Sequence, residues 1–128
     1  MGCGGRLAIG DYRKLAFCNR ARALSIRVHR LVAALPRAEQ FRRGDQIIGA
    51  ASSIRNNIAE GSSGSRGEFA RFLSHAIKSA DEVEEELQEL ADVGLLRPED
   101  ADLLGEPRQI AAMITSFRRK ILHSGNNP

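Results

Sequence analysis

Ser53-Ile54-Arg55-Asn56-Asn57-Ile58-Ala59-Glu60-Gly61 carries an apolar helical face straight into a glycine- and serine-rich stretch, after which a second, longer amphipathic pattern begins. The stripe Ile47, Ala51, Ile54, Ile58 advances by 4, 3 and 4 residues, so one face of a helix stays turned toward a partner. Gln46, Arg55, Asn56 and Glu60 flank it. Glycine adopts the left-handed conformation without steric cost, so Gly61 is expected to stop this helix and residues 61–67 to form a hinge.

Working outward, helix one is expected over residues 11–35, with Leu15, Cys18, Ala21, Leu24, Val28, Leu31 and Leu35 as its stripe and Pro36 as its end. Residues 36–44 read as a loop leading into helix two at 45–60. Helix three opens on a capping box, Ser65 with Glu68, and presents Phe69, Phe72, Leu73, Ala76, Ala80, Val83, Leu87 and Leu90 as far as Gly94. Helix four begins near Pro98 and ends by Gly125, with Gly105-Glu106-Pro107 predicted to kink it or set off a short leading turn. Its stripe is Leu103, Ile110, Ile114, Phe117 and Ile121, and Arg118, Arg119, Lys120 and His123 suit the negative end of its dipole. No segment alternates with the period of a strand. The expected fold is all-α, an antiparallel up-down four-helix bundle over residues 11–124, with a flexible leader at 1–10 and a flexible tail at 125–128.

A chain of 128 residues with 42% apolar content can bury roughly two-thirds of the surface its unfolded form exposes, so one core suffices. Cys3 and Cys18 give neither a disulfide framework nor a metal-ligand spacing, which points to a reducing compartment, the cytoplasm. No apolar run reaches the ~20 residues that span a bilayer, so no membrane association is expected. Residues 1–6 lack a signal peptide's apolar region, and Arg6 stands where a myristoylation motif wants Ser or Thr.

Charge is distributed unevenly. Residues 11–43 hold nine Lys/Arg against two Asp/Glu, and residues 79–106 hold one against eleven. Such asymmetry attracts a polyanion to one face, or lets the basic helix lie beside the acidic one within the fold or across a subunit contact. The candidate phosphate-binding residues are Arg13, Arg20, Arg27 and Arg30, with Arg42 and Arg43 in the following segment; simple solvation is the competing reading. Aromatic residues make up only 5% and mostly mark the apolar stripes, so base stacking is not indicated.

Catalysis finds little support. His29, His75 and His123 lie on different helices without a second ligand at metal-site spacing, so no metal and no cofactor are expected. The glycine-rich hinge lacks the Gly-Lys-Ser/Thr ending of a phosphate loop and follows a helix where such loops follow a strand. Ser53, Asn57, Glu60 and Glu82 are polar, yet no histidine or lysine is paired with a serine at a diagnostic spacing. Asn57 and Glu60 are better read as rim residues that fix helix register. Cys18 reads as a small core residue, and the acidic face of helix three as solvated or ion-paired.

Ser53-Ile54, then Asn57-Ile58-Ala59-Glu60-Gly61, then Glu68-Phe69, Phe72-Leu73, Ala76, Ser79 and Glu82 resemble the four-helix bundle proteins encoded in intervening sequences of bacterial large-subunit ribosomal RNA genes. Leu35-Pro36 with Glu39, and Gln46 with Ala50-Ala51, extend the likeness, which covers about residues 11–122. Cys18 stands where that family often has tryptophan, and Arg55 where proline is common. The resemblance implies a bacterial, ring-shaped homopentamer with no established catalytic activity, so no enzyme is expected. A related group, the accessory proteins of diversity-generating retroelements, shares the pentameric bundle, binds nucleic acid through basic surfaces and associates with a reverse transcriptase. By that analogy the expected partners are copies of the chain itself, RNA or DNA, and a reverse transcriptase or other protein. Two functional readings stay open: a non-enzymatic homo-oligomeric scaffold that binds nucleic acid, and a protein-interaction adaptor that does not.

Overall fold

The computed structural model describes residues 11–126, which form four long helices: α1 (Ala16–Ala33), α2 (Asp45–Ser62), α3 (Arg66–Asp92) and α4 (Glu106–Asn126). The leader expected at 1–10 and the last two residues of the expected tail lie outside the described residues; α4 itself continues to Asn126.

Each helix packs on two others, α1 on α2 and α4, and α3 on α2 and α4, so that α1 and α3 stand on opposite corners of the bundle. Between α1 and α2, the hydroxyls of Ser25 and Ser52 meet at 3.4 Å and Gly44 lies under Val32. Between α2 and α3, Ser53 meets Ser79 and Gly61 meets Phe69. Arg108 reaches Glu84 and Arg118 reaches Ala70 across α4 and α3, while Phe17 and Phe117 pair across α1 and α4. On each neighbouring pair, rising residue numbers on one helix meet falling numbers on the other. The stripes read from the sequence form one core, in which Leu24, Ile47, Ile54, Ile58, Phe69, Leu73, Leu87, Ile110 and Ile114 are at most 1% exposed.

Helix one is shorter than expected. Asp11 caps a separate 3-10 turn, Tyr12–Lys14, by accepting the Arg13 amide, and Leu15 is extended, so the α-helix starts at Ala16. The expected loop at 36–44 is instead helical. Pro36, extended at ψ 147, opens a helical turn at Arg37–Glu39 that continues through a π-turn, Gln40–Gly44, into α2. Two interactions favour that path. The Gln40 side-chain amide donates to the carbonyls of Ala33 and Leu35 at the end of α1, and Arg43 pairs with Glu39 one turn back. The extra residue of the π-turn accompanies a close approach: a Cβ on Gly44 would come within 3.0 Å of Val32 Cγ1.

Gly61 overturns its predicted role. It is buried inside α2, which continues to Ser62, and its φ is not positive; the left-handed glycine is Gly94, at φ 79, just past α3. There Leu95 N–H returns to the Leu90 carbonyl at 2.8 Å and closes the helix. What Gly61 supplies is absence of a side chain, because a Cβ there would meet Phe72 Cβ at 2.6 Å and the Phe69 backbone at 3.2 Å. The turn that follows is short, since the Ser65–Glu68 capping box forms at once: Ser65 Oγ accepts the Glu68 amide at 3.2 Å and Glu68 Oε1 accepts the Ser65 amide at 2.9 Å. A 3-10 segment, Pro98–Gly105, is the short leading turn expected ahead of α4.

Gly61→Ala is therefore expected to destabilise the fold by about 1–3 kcal/mol through overpacking against α3. Gly49→Ala, on the exposed side of the same helix with nothing within 4 Å, is expected to stabilise it by up to ~1 kcal/mol through helix propensity. Denaturant unfolding of both variants gives the comparison, and a Gly61→Ala protein as stable as the wild type would contradict the close packing.

Candidate functional site

The candidate phosphate-binding arginines fall into two groups once the helices are assembled. Arg20 forks onto Glu106, with Nε donating to Oε2 at 2.8 Å and Nη2 to Oε1 at 2.7 Å, and Nη2 also reaches Gln109 at 2.6 Å. Arg27, two turns on, forks onto Asp102 at 2.6 and 2.8 Å and lies 3.5 Å from Asp100. Asp100 is 5% exposed and also accepts from Arg97 Nε at 2.9 Å. Arg43 joins Glu39 and Glu89, both at 2.8 Å, and Arg13 pairs with neighbouring Asp11. Only Arg30 and Arg42 of the six are exposed without an ion pair to another described residue.

These pairs shift titration as bidentate contacts should. The Arg27 guanidinium holds the Asp102 carboxyl below its ordinary range, and Asp102 pushes Arg27 further above its own. Glu86 moves the other way. Burial raises its carboxyl, Glu89 and Glu82 add to the rise, and Arg43 and Gln46 oppose it.

The residues of the decisive sequence stretch serve packing. Asn57 donates to the Ser53 carbonyl at 2.8 Å and to Ser53 Oγ at 3.0 Å, and Ser79, 7% exposed, donates to that same Oγ at 2.9 Å. The result is a small polar seam between α2 and α3, within which every bond is local or hydroxyl to hydroxyl. Ile54, Ile58 and Phe69 are fully buried. Phe72 sits over Gly61 with the Arg71 guanidinium 4.7 Å from its ring centre. Glu68 belongs to the helix cap. Glu60 and Glu82 are exposed and make no hydrogen bond to another described side chain, so Glu60 does not share the register role of Asn57. Gln46 is exposed beside Glu86.

Ser79 was missed as the partner of Ser53, because a serine on an apolar stripe gives no sign of which hydroxyl it will meet. Cys18 is buried at 2% exposure, and burial raises its thiol. Among the described residues no three His, Cys, Asp or Glu side chains stand where they could hold a metal ion, and no helix is long and apolar enough to cross a membrane.

Of the surfaces that keep unpaired charge, three bear on assembly and binding. The outward face of α1 carries Arg22 and Arg30 on either side of Ile26, which is 41% exposed. The outward face of α3, on the opposite corner, carries Asp81, Glu82 and Glu85 one to two turns after the exposed Lys78, whereas its neighbours Glu84 and Glu89 are answered by Arg108 and Arg43. The third lies on α4, where Arg118, Arg119, Lys120 and His123 face no carboxylate among the described residues. The sequence reading assigned that last group to the helix dipole. Its signal was available, since α4 has no acidic residue after Glu106.

Arg20→Gln is expected to cost about 1 kcal/mol of unfolding free energy, as a part-exposed bidentate pair should, and to leave affinity for a polyanion unchanged. Denaturant unfolding and a nucleic-acid titration of the same variant check both halves; an unaltered stability with a lost affinity would return Arg20 to the phosphate surface.

Residues 13–116 match the family model of 23S rRNA-intervening sequence protein. No curated protein matches the chain. The match covers most of the bundle, from the 3-10 turn before α1 to the middle of α4, and includes the Ser53–Ser79 seam and the Gly61 contact. The chain belongs to the 23S rRNA-intervening sequence protein family.

Proposed function

We propose that the protein is a non-catalytic helical scaffold that assembles head to tail with copies of itself, the outward face of α1 in one copy meeting the outward face of α3 in the next. One observation carries the reading: these faces lie on opposite corners of the bundle and carry net charge of opposite sign, Arg22 and Arg30 on one and Asp81, Glu82 and Glu85, outweighing Lys78, on the other. Two different patches in contact make a heterologous interface, which closes into a ring when its rotation divides a full turn. The resemblance to pentameric bundles makes five copies the number to look for.

Other features agree with a structural role. The serine and asparagine groups that could have formed an active centre bond to one another across α2 and α3, and none of these bonds involves a histidine, a lysine or a carboxylate. The buried thiol of Cys18 suits a reducing compartment, so the reading places the protein in the cytoplasm. A protein partner, such as a reverse transcriptase, would dock on the faces this contact leaves open, those of α2 and α4. Nucleic-acid binding through helix one and the following turn loses support, because Arg13, Arg20, Arg27 and Arg43 are engaged by carboxylates.

Light scattering at micromolar concentration tests the assembly. The wild type is expected at a multiple of 14.0 kDa that shrinks as salt screens the contact. Arg22→Glu with Arg30→Glu is expected at the monomer mass, and mixing it with an Asp81→Lys, Glu82→Lys, Glu85→Lys variant should restore a larger species. A wild-type monomer at low salt, or wild-type assembly by the charge-reversed protein, would overturn the reading.

A further inference from the structure

We infer that the outward face of the second half of α4 is a phosphate-binding surface that takes the sugar-phosphate backbone of a nucleic acid without regard to sequence. The inference comes from following each charge to its partner. Helix one is the most basic segment of the chain, yet its flank is neutralised by Glu106 at the start of α4 and by Asp102 in the 3-10 segment before it. The other end of α4 lies beside the start of α3 and the start of α1, where Arg118 bonds the Ala70 carbonyl and Phe117 meets Phe17. That end holds positive charge with little to answer it.

Several particulars make this a surface for a polyanion rather than an incidental cluster. Arg118, Arg119 and Lys120 are consecutive, so successive 100° steps spread their charges across the whole outward arc of the helix. Arg118 Nε donates to Ala70 O at 2.8 Å, which fixes the guanidinium at the groove toward α3 and leaves its terminal nitrogens without a hydrogen-bond partner among the described residues. Lys120 lies on the other flank, beside Leu15 and Ala16 of the α1 side. Thr115, Arg119 and His123, successive one-turn neighbours along α4, border a shallow cleft.

Interaction with the helix dipole does not account for all of them, because that effect fades within the last turn and α4 continues to Asn126. The outward positions preceding the cations are Ala112, Thr115 and Ser116, all exposed; they are small, so a backbone can approach, and none is a large apolar anchor of the kind that inserts into a lipid surface. The surface is independent of assembly. If copies do join through α1 and α3, each presents its α4 face the same way around the assembly, and modest sites add by avidity.

The test is a titration of labelled duplex and single-stranded RNA and DNA, at two salt concentrations, with the wild type, with Arg119→Gln/Lys120→Gln, and with Arg37→Gln/Arg42→Gln. Both pairs remove two exposed, unpaired cations, but the second lies at the opposite end of the bundle. Arg119→Gln/Lys120→Gln is expected to weaken binding ~10-fold at low salt and to lower the slope of log affinity against log salt by about 2. The other pair should stay near the wild type, and scrambling the nucleic-acid sequence should change little. The Arg22→Glu/Arg30→Glu variant should show the same relative loss when the α4 cations are removed, which separates this surface from the assembly. Equal losses in both glutamine pairs, no binding at low salt, or tighter binding to anionic vesicles than to any nucleic acid would overturn the inference.

Discussion

Arg20 and Arg27 lie on the flank of α1 that faces the leading turns of α4, and the bidentate bonds they make to Glu106 and Asp102 tie the first helix of the chain to the last. Everything about the molecule's surface follows from that closure. The basic flank of α1 is brought against the acidic turns that lead into α4, Asp100, Asp102 and Glu106, so those charges cancel where they meet. Among the charges that remain outward are cations on α1, carboxylates on α3, and a second set of cations at the far end of α4.

The core needs a different constraint. Four amphipathic helices can pack in many registers, and small or polar residues select one. Gly61 lets α2 and α3 approach closely at their shared turn, and the Ser53, Asn57 and Ser79 bonds fix the same pair a few turns away. A hydroxyl pair in an apolar interface contributes little net energy but makes a shifted register costly, since both groups would then be buried without partners. Ser25 and Ser52 make a longer version of the same contact between α1 and α2. The π-turn before α2 acts at the opposite end, where Gly44 slips under Val32.

Much of this was legible in the sequence and some could not have been. Apolar periodicity located all four helices, and the Ser65–Glu68 box and the Pro98 turn were readable because their chemistry is local. Residues 36–44 were misread as a loop, since proline and glycine signal breaks and the bonds that keep the segment helical come from Gln40 reaching back to α1. Gly61 was misread for the same reason: a glycine beside Ser62-Ser63-Gly64 looks like a terminator, and the aromatic residues that require its missing side chain lie on the next helix. The sequence groups Arg13, Arg20, Arg27 and Arg30 by spacing, but which of these charges are paired depends on contacts across the fold, from residue 20 to residue 106.

The account rests on those cross-chain pairs, and the protonation of Asp102 reports one of them directly. A carboxyl that accepts two bonds from a guanidinium is stabilised as the anion, so it must release its proton at lower pH than an isolated one. Carboxyl NMR titration of the wild type should show Asp102 titrating below its ordinary value of 3.8, and Arg27→Gln should move it back up toward that value. An Asp102 that titrates at the ordinary value in both proteins would mean that Arg27 is free of this pair, and the closure of α1 onto the turn before α4 would be wrong.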